Sequence, residues 1–206
     1  MSEPQRDSST VIDLLRHGEP VGGKRYRGQI DDPLSERGWA QMREAVGDRC
    51  PWEAILTSPL ARCAAFAEEL GARHGLSVEA DPRWMEIGFG LWEGKTAPEL
   101  QKDDPEVLYR FWTDPIANRP PGAESLEAFR DRVVAAWEDA SSQYSGRHVL
   151  VVAHAGVIRM VLRHVLDMPL DRLFRIQVAN AGLTRIRLET VGRHILPRLI
   201  FHGGAL

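Results

Sequence analysis

Three short segments join an apolar run to residues that can do chemistry. "LLRHGEP" (Leu14 to Pro20) carries an apolar run into Arg16, His17 and Gly18. "TSPLAR" (Thr57 to Arg62) follows "WEAIL" and ends on Arg62, and "VVAHAG" (Val151 to Gly156) ends on His154, Ala155 and Gly156. An imidazole is a nucleophile or proton carrier near neutral pH. A guanidinium fork matches the oxygens of a phosphoryl group. If the three apolar runs are parallel strands, all three junctions lie at one edge of the sheet, where open α/β sheets bind ligands. A helix starting after His154 would aim unpaired N–H groups and its positive end at the same point. Arg16, His17, Arg62 and His154 are therefore expected around one anion, and a phosphoryl group is the natural one.

Each of these residues has a plainer reading taken alone. A histidine at a strand end is more often a hydrogen-bonded structural residue, and His74, His148, His164, His194 and His202 are given that role. Only Lys24, Lys95 and Lys102 are lysines among 26 cationic residues, so arginine is common and no single one carries weight. Arg62, however, falls in the first turn of a helix, where the dipole opposes a cation, so something must offset it. A metal site of His17, His154 and a carboxylate such as Glu86 is a competing reading. The adjacent Arg16 and the converging Arg62 speak against it, because two fixed positive charges repel a divalent cation and attract a dianion.

The elements that must position these groups follow from pattern. Residues 10–16 form a buried strand, and Ser35 caps a helix to about Arg49 with Trp39, Met42 and Val46 on one face. "WEAILTS" is a second strand. Ser58 and Pro59 suit the N-cap and first position of a helix that ends near Gly75. "LSVEAD" is a third short strand. Residues 125–144 form an amphipathic helix with Leu126, Phe129, Val133 and Trp137 on one side. "RHVLVVAH" lacks alternation, as a strand buried on both faces does, and "AGVIRMVLRHVLD" is the helix after it. From about Arg175 the chain alternates, giving one or two closing strands. Strands alternating with helices imply α/β architecture with a largely parallel sheet. Residues 84–122, with a helical patch at "PEVLYRFWTD", are expected as a lid inserted in a single domain covering residues 1–206.

Composition sets outer limits. The 206 residues are 43% hydrophobic, enough for one compact core. A net charge of -3 gives no case for nucleic-acid or membrane partners. Cys50 and Cys63 form neither a metal spacing nor a disulfide framework, and the polar segment at residues 1–10 lacks a signal peptide's apolar stretch, so a cytoplasmic setting is expected. No apolar run approaches the ~20 residues of a spanning helix.

The motifs as a set resemble the histidine phosphatase superfamily, the phosphoglycerate-mutase-like proteins. "LLRHGEP" resembles its RHG signature, and "DDPLSERGWAQ" the start of its first helix. "TSPLARC" resembles the segment bearing its second phosphate arginine. "MEIGFGLWEG" is similar to its proton-donor segment, "PPGAESLEAFRDRV" to its "PGGES" segment, and "VLVVAHAGVIR" to its second-histidine segment. The resemblance implies a three-layer α/β/α sandwich with a mostly parallel sheet and a lid. It implies that His17 is the nucleophile, that Arg16, Arg62 and His154 hold the phosphoryl oxygens, and that Glu86 is the proton donor, with Glu93 structural. It implies neither metal nor cofactor. Where many members carry Thr and Asn after RHG, this chain has Pro20 and Val21 to Gly23, so Arg27 and Gly28 are expected to supply phosphate contacts, with Ala155 as a further binding residue. The substrate implied is a small phosphorylated metabolite. α-Ribazole 5'-phosphate, as in the phosphatases of cobalamin assembly, stands beside a broad-specificity phosphatase, a phosphoglycerate mutase and a non-catalytic phospholigand-binding protein. Phe89, Trp92, Tyr109, Phe111 and Trp112 either form an aromatic wall for the leaving group or pack the lid. A homodimer is an assembly open to such a chain.

Overall fold

A computed structural model describes residues 9–192 and 194–204. The N-terminal reading at residues 1–10 therefore lies, for its first eight residues, outside the described range. The sheet has six strands: β1 (Thr10–Arg16), β2 (Ala54–Thr57), β3 (Val78–Ala80), β4 (His148–Ala153), β5 (Leu183–Val191) and β6 (His194–Gly204). Their spatial order is β3-β2-β4-β1-β5-β6. The pairs β2–β3, β2–β4 and β1–β4 are parallel, while β5 and β6 join antiparallel as the two closing strands.

The lack of alternation in β1 and β4 has a simple cause: both faces of each strand are covered. Ile12, Leu14, Val149 and Val151 face one apolar layer, with Phe129, Val133 and Ile158. Leu15, Leu150 and Val152 face the other, with Met42, Val46, Phe66 and Leu70. The first layer belongs to α5 (Leu126–Gln143) and α6 (Ala155–Val165), the second to α1 (Glu36–Val46) and α2 (Ala61–His74). A two-sided sheet between helices is the three-layer sandwich.

Local signals place most helix starts. Ser35 Oγ accepts from Gly38 N, and Ser125 Oγ accepts from Ala128 N, as N-caps do. α1 stops earlier than Arg49, because Gly47 takes a positive φ of 55°. Ser58 does not cap α2. Its N-cap is Leu60, and Ser58 Oγ instead faces His154. Segment 84–122 holds two short helices, α3 (Ala97–Gln101) and α4 (Val107–Thr113), over a small cluster of Trp92, Leu108 and Phe111. Among the described residues no helix is long and apolar enough to cross a membrane.

Buried within the β1 face toward α1 and α2 lies one charged group, Asp13. It accepts from Arg185 at 2.8 and 2.9 Å, from Trp52 Nε1 at 2.8 Å, and pairs with His148 Nε2 at 2.9 Å. His148 and His202, the latter bonded to Thr184 Oγ1 at 2.7 Å, thus serve structure as expected.

Candidate active site

The parallel register brings the chemistry together. Arg16 pairs with Ala153 across β1 and β4, so His17 and His154 leave the sheet side by side. Their rings lie 5.2 Å apart at 64°. Thr57 pairs with Val152, which delivers Ser58 and then Arg62 to the same edge. Arg16, His17 and Arg62 line one cavity of about 1300 Å3, together with Glu86, Arg27 and Ala155.

His17 is 6% exposed, and its Nδ1 lies 2.7 Å from the carbonyl oxygen of Gly18. A carbonyl can only accept, so Nδ1 is the protonated nitrogen and Nε2 keeps its lone pair when the ring is neutral. Burial, then the charges of Arg16 and Arg62, push its pKa well below 6.5, which favours that neutral form. The same causes, burial first and then Arg62, hold His154 low. His154 is fully buried and its Nε2 pairs with Ser58 Oγ at 2.8 Å. Cys63 Sγ packs 3.6 Å from the same nitrogen.

The two arginines are held by carbonyls rather than carboxylates. Arg16 Nη1 donates to Val178 O at 2.6 Å. Arg62 Nη1 donates to Ile30 O and Nη2 to Gly28 O, both at 2.7 Å. Neutral partners position the forks without cancelling their charge. The Nε atoms of Arg16 and Arg62 are both buried and make no hydrogen bond. Burial pulls Arg16 down to about 10, although Glu86 opposes this. Such concentrated, unsatisfied positive charge is stabilised by an anion.

Glu86 reaches the cavity from the start of segment 84–122. Its Oε2 accepts from Gly156 N at 3.1 Å and its Oε1 from Ile87 N at 3.0 Å, so the carboxylate faces the N-terminus of α6. Glu93 is placed differently. It accepts from the backbone N–H groups of Gln29, Ile30 and Phe89, and braces the loop that anchors Arg62. Gly28 belongs to that brace: it has a φ of +52°, and a Cβ there would collide with the Glu93 carboxylate. Its demonstrable part is the carbonyl that holds Arg62. Arg27 is 8% exposed, with Nε on Asp32 at 2.8 Å and Nη2 on Val21 O. Its Nη1 remains for the cavity. The close approach permitted by Gly18 is to α1, since a Cβ would strike the backbone of Gly38.

The aromatic residues divide. Phe89, Phe111 and Trp112 line the cavity. Trp92 is buried within segment 84–122, in the cluster with Leu108 and Phe111, and Tyr109 is exposed outside the cavity. Sequence reasoning missed Ser58 as the partner of His154 and missed Arg159, which lines the cavity from α6. Its spacing of four residues from Ala155 puts both on one helix face, a signal present in "AGVIR". Among the described residues no trio of His, Cys, Asp or Glu is placed to hold a metal ion.

Comparison with known proteins shows what the whole chain resembles. A family model, histidine phosphatase superfamily (branch 1), matches residues 12–197. A bifunctional protein of Mycobacterium tuberculosis is 36% identical over 184 residues, covering 87% of this chain and 50% of the relative. The chain thus spans about half the length of that relative. Phosphoserine phosphatase 1 of Hydrogenobacter thermophilus is 31% identical, covering 85% of each chain. A mycobacterial glucosyl-3-phosphoglycerate phosphatase structure superposes with a TM-score of 0.83 at 29% identity, covering 96% of this chain and 100% of the other. An α-ribazole phosphatase from Shigella flexneri shares the fold, with a TM-score of 0.76 at 24% identity over 95% and 98% of the two chains.

Proposed function

Because this chain belongs to the histidine phosphatase superfamily (branch 1), we propose that it is a metal-independent phosphomonoesterase that works through a phosphohistidine on small phosphorylated compounds. One observation carries the proposal: an imidazole with a free Nε2 lone pair lies beside two guanidinium groups whose Nε atoms are buried and unbonded.

The steps follow from the groups present. The Nε2 lone pair of neutral His17 attacks phosphorus. The P–O bond to the leaving group breaks, and its electron pair goes to the ester oxygen. Glu86 gives that oxygen its proton. Arg16 and Arg62 hold the remaining phosphoryl oxygens and offset the charge that builds on them, and His154 joins them by exchanging its Ser58 partner for a phosphoryl oxygen. Arg27 Nη1 takes the contact that a pocket asparagine makes elsewhere in the family, and the N–H of Ala155 lies on the rim. Water then attacks phosphorus as Glu86 takes its proton, the P–N bond breaks with its electron pair returning to Nε2, and orthophosphate leaves with neutral His17 restored. Residues 84–122 form the lid over the leaving group within a single domain. Two free cysteines, Cys50 and Cys63, support a cytoplasmic setting.

The narrower substrate α-ribazole 5'-phosphate draws on the aromatic lining of Phe89, Phe111 and Trp112, which suits a flat leaving group. The test of the general reaction is turnover of p-nitrophenyl phosphate with EDTA present, together with trapping of an acid-labile phosphoprotein. Activity in EDTA and a phosphorylated chain that disappears in His17→Ala are expected. A folded protein with neither activity nor phosphoprotein would leave a phospholigand-binding module instead.

A further inference from the structure

Four cations of the cavity lining, Lys24, Arg25, Arg159 and Arg175, take no part in the proposed reaction, and Arg159 alone among them is half-buried rather than exposed. It lies one helical turn after Ala155 on α6, and side chains there lean toward the helix N-terminus, hence toward the site. Its Nε donates to Ile176 O at 2.7 Å, and its guanidinium lies 5.7 Å from the Phe174 ring centroid. Among the described residues that is its one hydrogen bond, and no carboxylate pairs with it. Burial lowers its pKa, as expected for a cation without an anionic partner in contact, although Glu86 nearby opposes this.

Arg16 is anchored by the same segment. Its partner is Val178 O, two residues beyond Ile176. Ile176 is extended, with φ -89° and ψ 121°. The segment Ile176–Val178 thus anchors both guanidinium groups on one wall of the cavity. The first belongs to the phosphoryl site. A leaving oxygen must face Glu86, and Arg159 is within electrostatic reach of that carboxylate.

We infer that Arg159 is a carboxylate-binding subsite, and that the preferred substrates are phosphate monoesters that carry a carboxylate on a small leaving group. This rests on the phosphatase reading above. The fork of Arg159, backed by Phe174, offers its outer nitrogens to both carboxylate oxygens. The substrate then carries two anionic groups to two separate arginines, and its orientation follows.

O-phosphoserine and O-phosphoethanolamine differ by the carboxylate alone, so their kcat/KM values isolate the subsite. The native protein is expected to prefer phosphoserine at least tenfold, a typical share for a charge-assisted hydrogen bond. In Arg159→Gln that preference should collapse, chiefly through KM for phosphoserine. Arg159→Lys should restore part of it, since the charge remains while the fork is lost. Equal rates on the two compounds in the native protein would overturn the inference. So would a loss in Arg159→Gln that is the same for both. If the native protein failed on p-nitrophenyl phosphate as well, the phosphatase reading itself would fall and take this one with it. Thermal melting of each variant guards against loss of fold, and the native preference needs no variant.

Discussion

Gly156→Ala is the sharpest test of Glu86 as proton donor. A Cβ at position 156 would penetrate the van der Waals surface of Glu86 Oε1 and approach Cδ to 3.1 Å, with the Phe129 ring at 3.3 Å behind it. A tolerable C···O contact is about 3.3 Å, so the carboxylate must retreat by about 1 Å. The hydrogen bond from Gly156 N to Oε2, at 3.1 Å, goes with it. A displacement of that size at a reacting group can cost about a hundredfold. The loss should depend on the leaving group. An alkyl phosphate needs its oxygen protonated as the bond breaks, so its kcat should fall about a hundredfold. p-Nitrophenolate leaves without help and should lose far less. The fold should survive, because the clash is with the end of a flexible side chain and alanine favours a helix over glycine by up to about 1 kcal/mol. The assay is kcat across esters of graded leaving-group acidity, with Glu86→Gln measured alongside. If Gly156→Ala hydrolysed alkyl phosphates at the native rate, Glu86 would not be the acid. An equal loss for all esters would mean that the substitution had damaged the phosphoryl site instead.

Two further outcomes follow from buried titrating groups. His17 is held well below 6.5 by burial and by Arg16 and Arg62, so the acid limb of kcat/KM against pH should fall well under 6.5, and a limb at or above that value would contradict a buried neutral nucleophile. Because protonation of His17 and His154 is disfavoured in the fold, the unfolded chain binds more protons as pH drops through about 6.5, and stability should decline there in urea titrations. Asp13 is raised by burial but lowered more by its bonds to Arg185, His148 and Trp52, so its stabilising effect is complete above 3.8 and disappears as pH falls further. Asp13→Ala strands Arg185, which is 23% exposed, and should cost roughly 3 kcal/mol by urea midpoint; a change under 1 kcal/mol would show that the cluster contributes little.

Much of the site is legible in local sequence because Arg16, His17 and His154 each stand at a strand end. Apolar runs that stop at Arg16–His17 and at His154 declare buried parallel strands, and parallel strands share one functional edge whatever the details of packing. The resemblance names Glu86 over Glu93 as the acid, and the structure places the two carboxylates differently. Glu93 is occupied by three backbone N–H groups beneath the loop, whereas Glu86 is aimed at the start of α6.

What local sequence could not settle are contacts between distant segments. "TSPLAR" looks like a capped helix start because serine before proline commonly is one, yet Ser58 Oγ reaches only Leu60 N, ahead of the helix, and pairs with His154 Nε2 at 2.8 Å. The aromatic residues of segment 84–122 share one composition, and only packing separates buried Trp92 from Trp112 at the cavity. Arg159 is one arginine among many until Ile176 and Val178 set it beside Arg16. Periodicity and strand ends are properties of neighbouring residues, so this sequence by itself determined the sheet, its covering layers and the edge at which Arg16, His17 and His154 meet. Which carbonyl holds which guanidinium depends on residues far apart in sequence, 162 positions for Arg16 and Val178 and 34 for Arg62 and Gly28. That pairing exists only once the chain has closed, and it was left to tertiary structure.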